Sequence, residues 1–405
     1  MCKLLTLFTI LIFSVIAVFA QPSVLPVVYS LNPASLQYSK ALLKKGNPST
    51  LKSYDELIKK ADLALFEGPF TVVSKEKLPP SGNKHDYMSM GPYWWPNPAT
   101  ANGLPYIRKD GERNPEIKKI EDRENIAKLI SAVRSLSLAY YFSDNQKYAD
   151  RAALLLKEWF VNPETRMNPN LNFGQSIPGI TDGRAEGLIE TVGLIEVVDG
   201  IGLIENSNSL NADELHALRK WFAEFLNWIG ESSVGKDEIA AENNHGTWCD
   251  AQSIAYALFS EQPEKAINII ETRSYHRITS QIMEDGAQPR ELARTLSWGY
   301  STMNLKAFFT LANLAKKINV DLINYQSKGI VPLHKALDFL VPYLTEVKKW
   351  EYKQIKPMDY ENACFDFRMG TLNYHDPLFE TLVQKYGDSE TVSLINLLWP
   401  ELPSK

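Results

Sequence analysis

The chain has 405 residues, with 43 lysines and arginines against 48 aspartates and glutamates, which gives a formal net charge of -5 at pH 7. A nucleic-acid-binding domain normally presents a basic face, so this composition argues against that class. Three cysteines are far too few for a disulfide scaffold. A large apolar core must therefore hold the fold.

The first twenty residues have the pattern of a secretory signal peptide. One lysine precedes an apolar run from Leu4 to Phe19, and Val18 and Ala20 supply small residues for a cleavage site. A membrane anchor is the alternative, but no basic stop-transfer cluster follows the run. We predict cleavage after Ala20, a periplasmic or secreted location, no membrane association afterwards, and a single mature domain over residues 21–405.

Most of the mature chain shows helical periodicity. Between Arg123 and Phe142, apolar residues recur at spacings of three and four, which places them on one helical face. Similar patterns predict helices over 51–66, 145–160, 184–204, 212–229, 251–258, 265–283, 302–318 and 333–347. Alternating apolar and polar runs are short, so a sheet-dominated domain is not expected.

About ten to fourteen helices of ordinary length fit antiparallel pairs arranged around a ring. We predict an all-α fold, an incomplete (α/α) toroid, with a plain helical bundle or a solenoid as the alternative. No repeat period of the solenoid kind is visible in the sequence.

A long loop from Val73 to Pro115 interrupts the helical pattern and contains the segment HDYMSMGPYWWPNP. Loops of this length in compact domains are usually functional or disordered, and the density of Tyr, Trp and Pro argues against disorder. Aromatic faces pack on sugar rings, so we predict the wall of a carbohydrate groove. The alternative is that the aromatics plug one end of the core. The candidate substrate-binding residues here are His85, Tyr87, Tyr93, Trp94 and Trp95.

A second cluster, NFGQSIPGITDGRAEGLIET, runs from Asn172 to Thr191. Asp182 is placed to cap a helix that starts near Arg184, which would bring Gln175 and Arg184 to a helix N-terminus suited to an anion. A capped helix with a surface arginine is an equally good interpretation of this segment alone.

A third cluster combines ENNHGTWCD, Glu242 to Asp250, with QPRELARTLSWGYSTMN, which starts at Gln288. The first part carries two asparagines and a histidine just before a predicted helix, and the second carries two arginines and a tyrosine. An isolated histidine is more often structural than catalytic. The sequence contains no HExxH, no metal-binding cysteine pairs, no Gly-x-Ser-x-Gly and no P-loop, so we predict neither a metal nor an organic cofactor. The candidate residues are Asn243, Asn244, His245, Arg290, Arg294 and Tyr300.

Near the C-terminus, the segment from Tyr360 to Pro377 gathers Asp366, Arg368, Tyr374 and His375. These side chains either line the same cleft or close the ring. Cys249 and Cys364 remain in the mature chain, and sequence leaves open whether they pair.

Together, the clusters resemble the alginate-lyase-like polysaccharide lyases from about His85 to Tyr300. The most specific elements are YWWPNP, the Asn-Asn-His-Gly from Asn243 to Gly246, and ELAR followed by Tyr300. The resemblance implies an α/α toroid and a catalytic set of Asn244, His245, Arg294 and Tyr300. The interval from Arg294 to Tyr300 is six residues, one fewer than in the better-known bacterial alginate lyases, so the chain resembles a sister family.

The resemblance also implies a reaction, the β-elimination of a 4-linked polyuronate by a monomeric enzyme. Alginate is the first candidate substrate, and glucuronan or another polyuronate is the alternative. Asn244, assisted by His245 and Arg294, would neutralise the uronate carboxylate. Tyr300 would act as acid, and either Tyr300 or His245 as base. Two other functions stay open: a toroidal glycoside hydrolase that uses paired carboxylates, and a glycan-binding protein without catalysis.

Overall fold

The computed structural model describes residues 25–386 and 389–400, so the predicted signal peptide lies outside the described part of the chain. These residues form sixteen α-helices and four short strands. The helices are α1 Pro33–Lys44, α2 Pro48–Ala64, α3 Asp122–Ser143, α4 Gln146–Leu156, α5 Leu194–Ile204, α6 Ala212–Glu231, α7 Ser233–Ala240, α8 Asn244–Phe259, α9 Pro263–Ile269, α10 Tyr275–Gln281, α11 Pro289–Leu292, α12 Ser297–Ala315, α13 Pro332–Leu344, α14 Cys364–Tyr374, α15 Pro377–Lys385 and α16 Glu390–Leu398.

Seven of these helices are neighbours in a closed ring. In order around the ring they are α2, α3, α5, α8, α12, α14 and α16, and α16 packs back against α2. Other helices pack against members of the ring: α1 against α2 and α16, α4 against α3, α6 and α9 against α8, and α13 and α15 against α14. The predicted all-α toroid is therefore confirmed.

The two helices that carry the third sequence cluster are neighbours in this ring. Nearly every residue of α8 and α12 is buried, as expected for helices enclosed on all sides. His245 lies in the first turn of α8 and Tyr300 in the first turn of α12. Packing of α8 against α12 therefore brings together two segments that are distant in sequence.

The predicted helices are present, with changed boundaries. The segment 184–204 is a 3-10 helix, Ala185–Thr191, followed by α5, and 265–283 is α9, a π-helical turn and α10. Arg184 immediately precedes the 3-10 helix and no side chain caps it, so the expected cap by Asp182 is wrong. Periodicity did not indicate α1, α7, α11 and α14 to α16, so the expected helix number was too low.

The long aromatic loop is tied down by two small sheets. Strand β1, Met88–Met90, pairs in parallel with β4, Phe173–Ser176, and β2, Trp94–Trp95, pairs antiparallel with β3, Ile107–Arg108. The first sheet joins the loop to the second sequence cluster. The loop is thus an ordered part of the fold.

Two further sequence-based questions have structural answers. Cys249 and Cys364 are both buried free thiols, so they do not pair. In the part of the chain that the structure describes, no helix has the length and apolar character needed to cross a bilayer.

Candidate active site

The ring of helices encloses a cavity of about 1750 Å³. Side chains from all seven ring helices line it, and the aromatic loop contributes Tyr93 and Trp94. His245 and Tyr300 face this same cavity, as a shared reaction site requires. The predicted site residues that line it are Tyr93, Trp94, Gln175, Arg184, Asn243, His245, Arg290, Arg294 and Tyr300.

Arg294 and Tyr300 form one unit at the cavity wall. Nη2 of Arg294 donates a hydrogen bond to the Tyr300 hydroxyl at 2.7 Å, and the guanidinium carbon lies 3.8 Å from the centroid of the phenol ring. The Tyr300 hydroxyl in turn donates to the hydroxyl of Tyr93 at 3.1 Å. The aromatic loop therefore contacts the candidate acid directly.

Asp110, a loop residue that the sequence did not single out, fixes Arg294. Its Oδ1 accepts from Nη2 of Arg294 at 2.9 Å, and its Oδ2 accepts from the hydroxyl of Thr295 at 2.9 Å. Burial raises the pKa of Asp110, but the hydrogen bonds from Arg294 and Thr295 outweigh burial and hold that pKa well below its ordinary value. Asp110 is therefore a permanent anion that orients the guanidinium.

Tyr300 is held in its neutral form. Burial raises its pKa above the ordinary value, and Tyr93 adds to the rise through its charge and its hydrogen bond, while Arg294 opposes it. A neutral phenol carries the proton that a general acid must donate.

Glu238, on α7, holds His245. Nδ1 of His245 lies 2.7 Å from Oε1 of Glu238, a carboxylate whose side chain is only 2% exposed. Burial raises the pKa of Glu238, and His245 opposes that rise. A carboxylate that accepts from Nδ1–H leaves Nε2 unprotonated and able to take a proton. Sequence gave no signal for Glu238, because its role arises only when α7 packs against α8.

The two neighbouring asparagines have different surroundings. Asn243 is the N-cap of α8, accepts from the backbone N–H of His245 at 3.3 Å, and lines the cavity. Asn244 is fully buried, and its backbone and side-chain N–H groups donate to Glu291 at 2.6 and 2.8 Å. The structure therefore places Asn244 behind the cavity wall, contrary to the expectation that it faces the substrate. Asn243 has an extended backbone at the N-cap, whereas Asn244 is the first helical residue, so their side chains point in different directions.

Arg184 and Arg290 occupy different parts of the cavity wall. Nη2 of Arg184 donates to Oε1 of Gln175 at 2.6 Å, and its guanidinium carbon lies 5.9 Å from the centroid of the Trp94 ring. Arg290 forms a more exposed ion pair with Glu242 at 2.6 Å. Both arginines present cationic groups to the cavity.

Three loop residues that we expected in the groove support the loop instead. Tyr87 is fully buried and its hydroxyl donates to Glu190 at 2.7 Å. The Nδ1 atom of His85 contacts the carbonyl of Arg166 at 2.6 Å, and Nε1 of Trp95 donates to the carbonyl of Glu112 at 3.0 Å. None of the three lines the cavity. Of the loop candidates, Tyr93 and Trp94 alone agree with the groove prediction, and Tyr87 is a core residue.

The C-terminal cluster closes the ring. Arg368 is buried, pairs with Glu380 at 3.0 Å and donates to the carbonyl of Trp399 at 2.6 Å. The Tyr374 hydroxyl donates to the carbonyl of Ile323 at 2.9 Å, and His375 ends α14 in a left-handed conformation. Asp366 is completely buried. These four residues do not line the cavity.

Within residues 25–386 and 389–400, no group of three or more His, Cys, Asp or Glu side chains is placed to hold a metal ion.

Comparison with known proteins identifies the family. Residues 71–350 match the alginate lyase family. The crystal structure of an alginate lyase from Bacteroides ovatus superposes with a TM-score of 0.88 and 36% sequence identity, over 93% of this chain and 100% of that one.

More distant structures share the fold alone. Alginate lyase A1-III from Sphingomonas species A1 gives a TM-score of 0.55 at 13% identity, over 92% of this chain and 98% of that one. A variant of alginate lyase A1-III complexed with a tetrasaccharide gives 0.59 at 13%, over 94% and 98%. No curated protein matches in sequence. The family match and the Bacteroides ovatus structure together show that this chain is a polysaccharide lyase that belongs to the alginate lyase family.

Proposed function

We propose that the exported protein cleaves alginate by β-elimination, with Tyr300 as the general acid. The observation that carries this proposal is that the Arg294–Tyr300 pair and the Glu238–His245 pair line the same cavity. The alginate lyase from Bacteroides ovatus supports alginate as the substrate. Glucuronan and other 4-linked polyuronates share the reacting group and remain the alternatives.

The reaction needs a base, an acid and donors for the carboxylate. The base removes the proton from carbon 5 of the uronate, and the electrons of that C–H bond form the double bond between carbons 4 and 5. The bond from carbon 4 to the bridging oxygen breaks, and the acid protonates that oxygen. Negative charge develops on the carboxylate during proton removal, so nearby hydrogen-bond donors lower the barrier.

Asn243 is the better candidate for the amide donor. Its side-chain oxygen caps α8, which fixes the orientation of the amide at the cavity surface. Asn244 acts through Glu291, because that buried carboxylate ties the start of α8 to α11. Asn244 is therefore a positioning residue, and the cavity-lining arginines, Arg290 and Arg294, complete the neutralisation of the substrate.

The stereochemistry of the substrate decides which group acts as base. In guluronate, the carbon-5 proton and the leaving oxygen lie on opposite faces, so His245 takes the proton and Tyr300 donates one. In mannuronate and glucuronate they lie on the same face, and Tyr300 would serve in both steps. The raised pKa of Tyr300 favours the acid role, whereas Arg294 stabilises the phenolate that the base role needs.

A panel of acidic polysaccharides tests the function. The mature protein should generate ultraviolet-absorbing unsaturated ends from alginate, or from glucuronan if that is the true substrate. A glycoside hydrolase would release new reducing ends without this absorbance, and a glycan-binding protein would release neither. Either of those two results on every polyuronate tested would contradict the proposed function. The size distribution of the unsaturated products would show whether cleavage is internal or from a chain end. The molar mass of the protein in solution would check the monomeric state.

A further inference from the structure

We infer that the cavity contains a second uronate-binding subsite, formed by Arg123 on α3 and Trp248 on α8. This subsite deepens the proposed function and rests on it. It would bind the carboxylate of a sugar unit away from the bond that is cleaved. Neither residue belongs to the sequence-predicted site.

The fold places the two residues on one wall. Arg123 lies in the first turn of α3, and Trp248 lies one helical turn after His245 in α8. The 3-10 helix Ala185–Thr191 contacts both α3 and α8, and its Ile189 lines the cavity together with Arg123 and Trp248. In the order of the ring, α3 is separated from α12 by α5 and α8. This part of the cavity wall therefore runs from Tyr300 on α12, past α8, to Arg123 on α3.

The guanidinium of Arg123 has unused hydrogen-bonding capacity. Its Nε lies 3.4 Å from Oε1 of Glu190, an ion pair without a good hydrogen bond, and its buried Nη1 has no acceptor among the described residues. The other oxygen of Glu190 accepts from the hydroxyls of Tyr87 and Ser89 at 2.7 and 2.6 Å. Glu190 is thus fixed in place and only partly satisfies the arginine.

The indole N–H of Trp248 also lacks a hydrogen-bond acceptor among the described residues. Its side chain is 7% exposed at the cavity, and Nε1, which can only donate, is buried without an acceptor in the described structure. An unmet donor in a protein interior costs free energy, which a ligand with a suitable acceptor can recover. Two such donors on one cavity wall indicate a place for an oxygen-rich ligand.

A carboxylate is the ligand group that fits best. A guanidinium binds a carboxylate through parallel charge-assisted hydrogen bonds, which are stronger than the hydrogen bonds it makes to a neutral sugar hydroxyl. Two other cavity arginines have closer carboxylate partners than Arg123: Arg134 binds Glu196 at 3.0 Å and Arg184 binds Glu186 at 2.6 Å. Every unit of a polyuronate carries a carboxylate, so a chain held at the catalytic groups can present another one to Arg123.

Kinetics on oligouronates of increasing length test the subsite. In Arg123→Gln, KM for long chains should rise roughly ten- to hundred-fold, the usual range for losing charge-assisted hydrogen bonds, with kcat little changed. The rise should be absent for the shortest oligomers that are cleaved, because they do not reach the subsite. Arg123→Lys should be intermediate, and Trp248→Phe should also raise KM selectively for long chains.

Arg219→Gln is a matched control. Arg219 on α6 has a side-chain exposure of 27%, close to the 25% of Arg123, and pairs with Glu205 at 3.2 Å. This control should leave KM unchanged at every length. Equal losses at all lengths for Arg123→Gln, or an unchanged KM in a folded variant, would overturn the subsite.

Binding provides a second readout that does not need turnover. In a Tyr300→Phe background, adding Arg123→Gln should weaken the affinity for a long polyuronate, measured by calorimetry, by the same factor as KM. If the Arg123 variant fails to fold, the same calorimetric measurement is made with Trp248→Phe in the Tyr300→Phe background. An unchanged affinity for the long polyuronate would then contradict the subsite. Failure of the proposed function is distinguishable, because the wild-type protein would then form no unsaturated ends from any polyuronate.

Discussion

Arg294 binds Tyr300 in two ways at once, with Nη2 2.7 Å from the phenol oxygen and the guanidinium carbon 3.8 Å from the ring centroid. The first contact stabilises negative charge on the oxygen, and the second fixes the ring. Burial nevertheless keeps the phenol protonated at rest. The pair can therefore give up a proton and hold the resulting phenolate, which is what a reusable acid requires.

Replacing Tyr300 by Phe should lower the rate of unsaturated product formation by at least about 10²-fold, because it removes the proton donor. Ultraviolet absorbance of the products measures the rate, and circular dichroism checks the fold. Tyr93→Phe is the comparison, since it removes only the 3.1 Å contact to the Tyr300 hydroxyl and should have a smaller effect. Full activity in a folded Tyr300→Phe protein would eliminate the catalytic assignment.

His245→Gln should separate the two stereochemical routes. Cleavage at guluronate units should fall by about 10²–10⁴-fold, because these need a base on the face opposite the leaving oxygen. Cleavage at mannuronate or glucuronate units should be retained to a greater extent. Block polymers of each uronate, assayed in parallel, provide the measurement. Equal losses on both kinds of block would mean that His245 is not the stereospecific base.

Glu238→Gln should reduce kcat by about 10²-fold without changing KM greatly, because the neutral amide no longer favours the proton on Nδ1 of His245. Nuclear magnetic resonance of the imidazole would report the change in the preferred tautomer directly. Glu242→Gln is a suitable comparison, since its exposed pair with Arg290 should affect substrate binding and leave the tautomer of His245 unchanged. A wild-type kcat for Glu238→Gln would show that this carboxylate is only structural.

Asp110→Asn should destabilise the protein at neutral pH by about 1–2 kcal/mol, since it weakens the hydrogen bonds to Arg294 and Thr295. The pKa of Asp110 is depressed in the folded state. Its contribution is therefore fully present above the ordinary carboxyl pKa of about 4 and is lost as the pH falls toward the lower folded value. Denaturant unfolding at pH 7 and below pH 4 should show the difference between the two proteins narrowing on acidification.

Asp366 should behave in the opposite way. Both of its carboxylate oxygens are buried without partners among the described residues, and burial raises its pKa well above the ordinary value, with Lys306 opposing. Stability is then greatest below the ordinary carboxyl pKa and falls as the pH rises toward the folded one. Asp366→Asn should therefore be more stable than wild type by about 1–3 kcal/mol at pH 8, with little difference near pH 4. Thermal unfolding at both values measures this, and a less stable variant at pH 8 would contradict it.

The spacing of apolar residues in the sequence was enough to predict most of the long helices. The three- and four-residue spacing in α3 and α6 reflects burial of one helical face, so sequence predicted those helices nearly to their ends. It did not predict α1, α7, α11 or the helices after residue 363, none of which exceeds twelve residues. Short helices carry too few turns for the period to be distinguished from chance.

For the candidate active site too, the sequence indicated local contacts better than contacts between distant segments. Arg294 and Tyr300 are six residues apart in the sequence, so their meeting is largely local and could be anticipated. Asp110 and Glu238 have no such signal, because they reach Arg294 and His245 only through the docking of the loop and the packing of α7.

Sequence by itself determined the helical composition and, through its motifs, the residues from which a lyase site could be built. The tertiary structure decided which of them face the cavity: Asn243 instead of Asn244, and Tyr93 and Trp94 instead of Tyr87. The reason is physical. Periodicity records that a residue is buried or exposed, whereas the direction of each side chain depends on how helices and loops rotate as they pack, which involves residues far away in the chain.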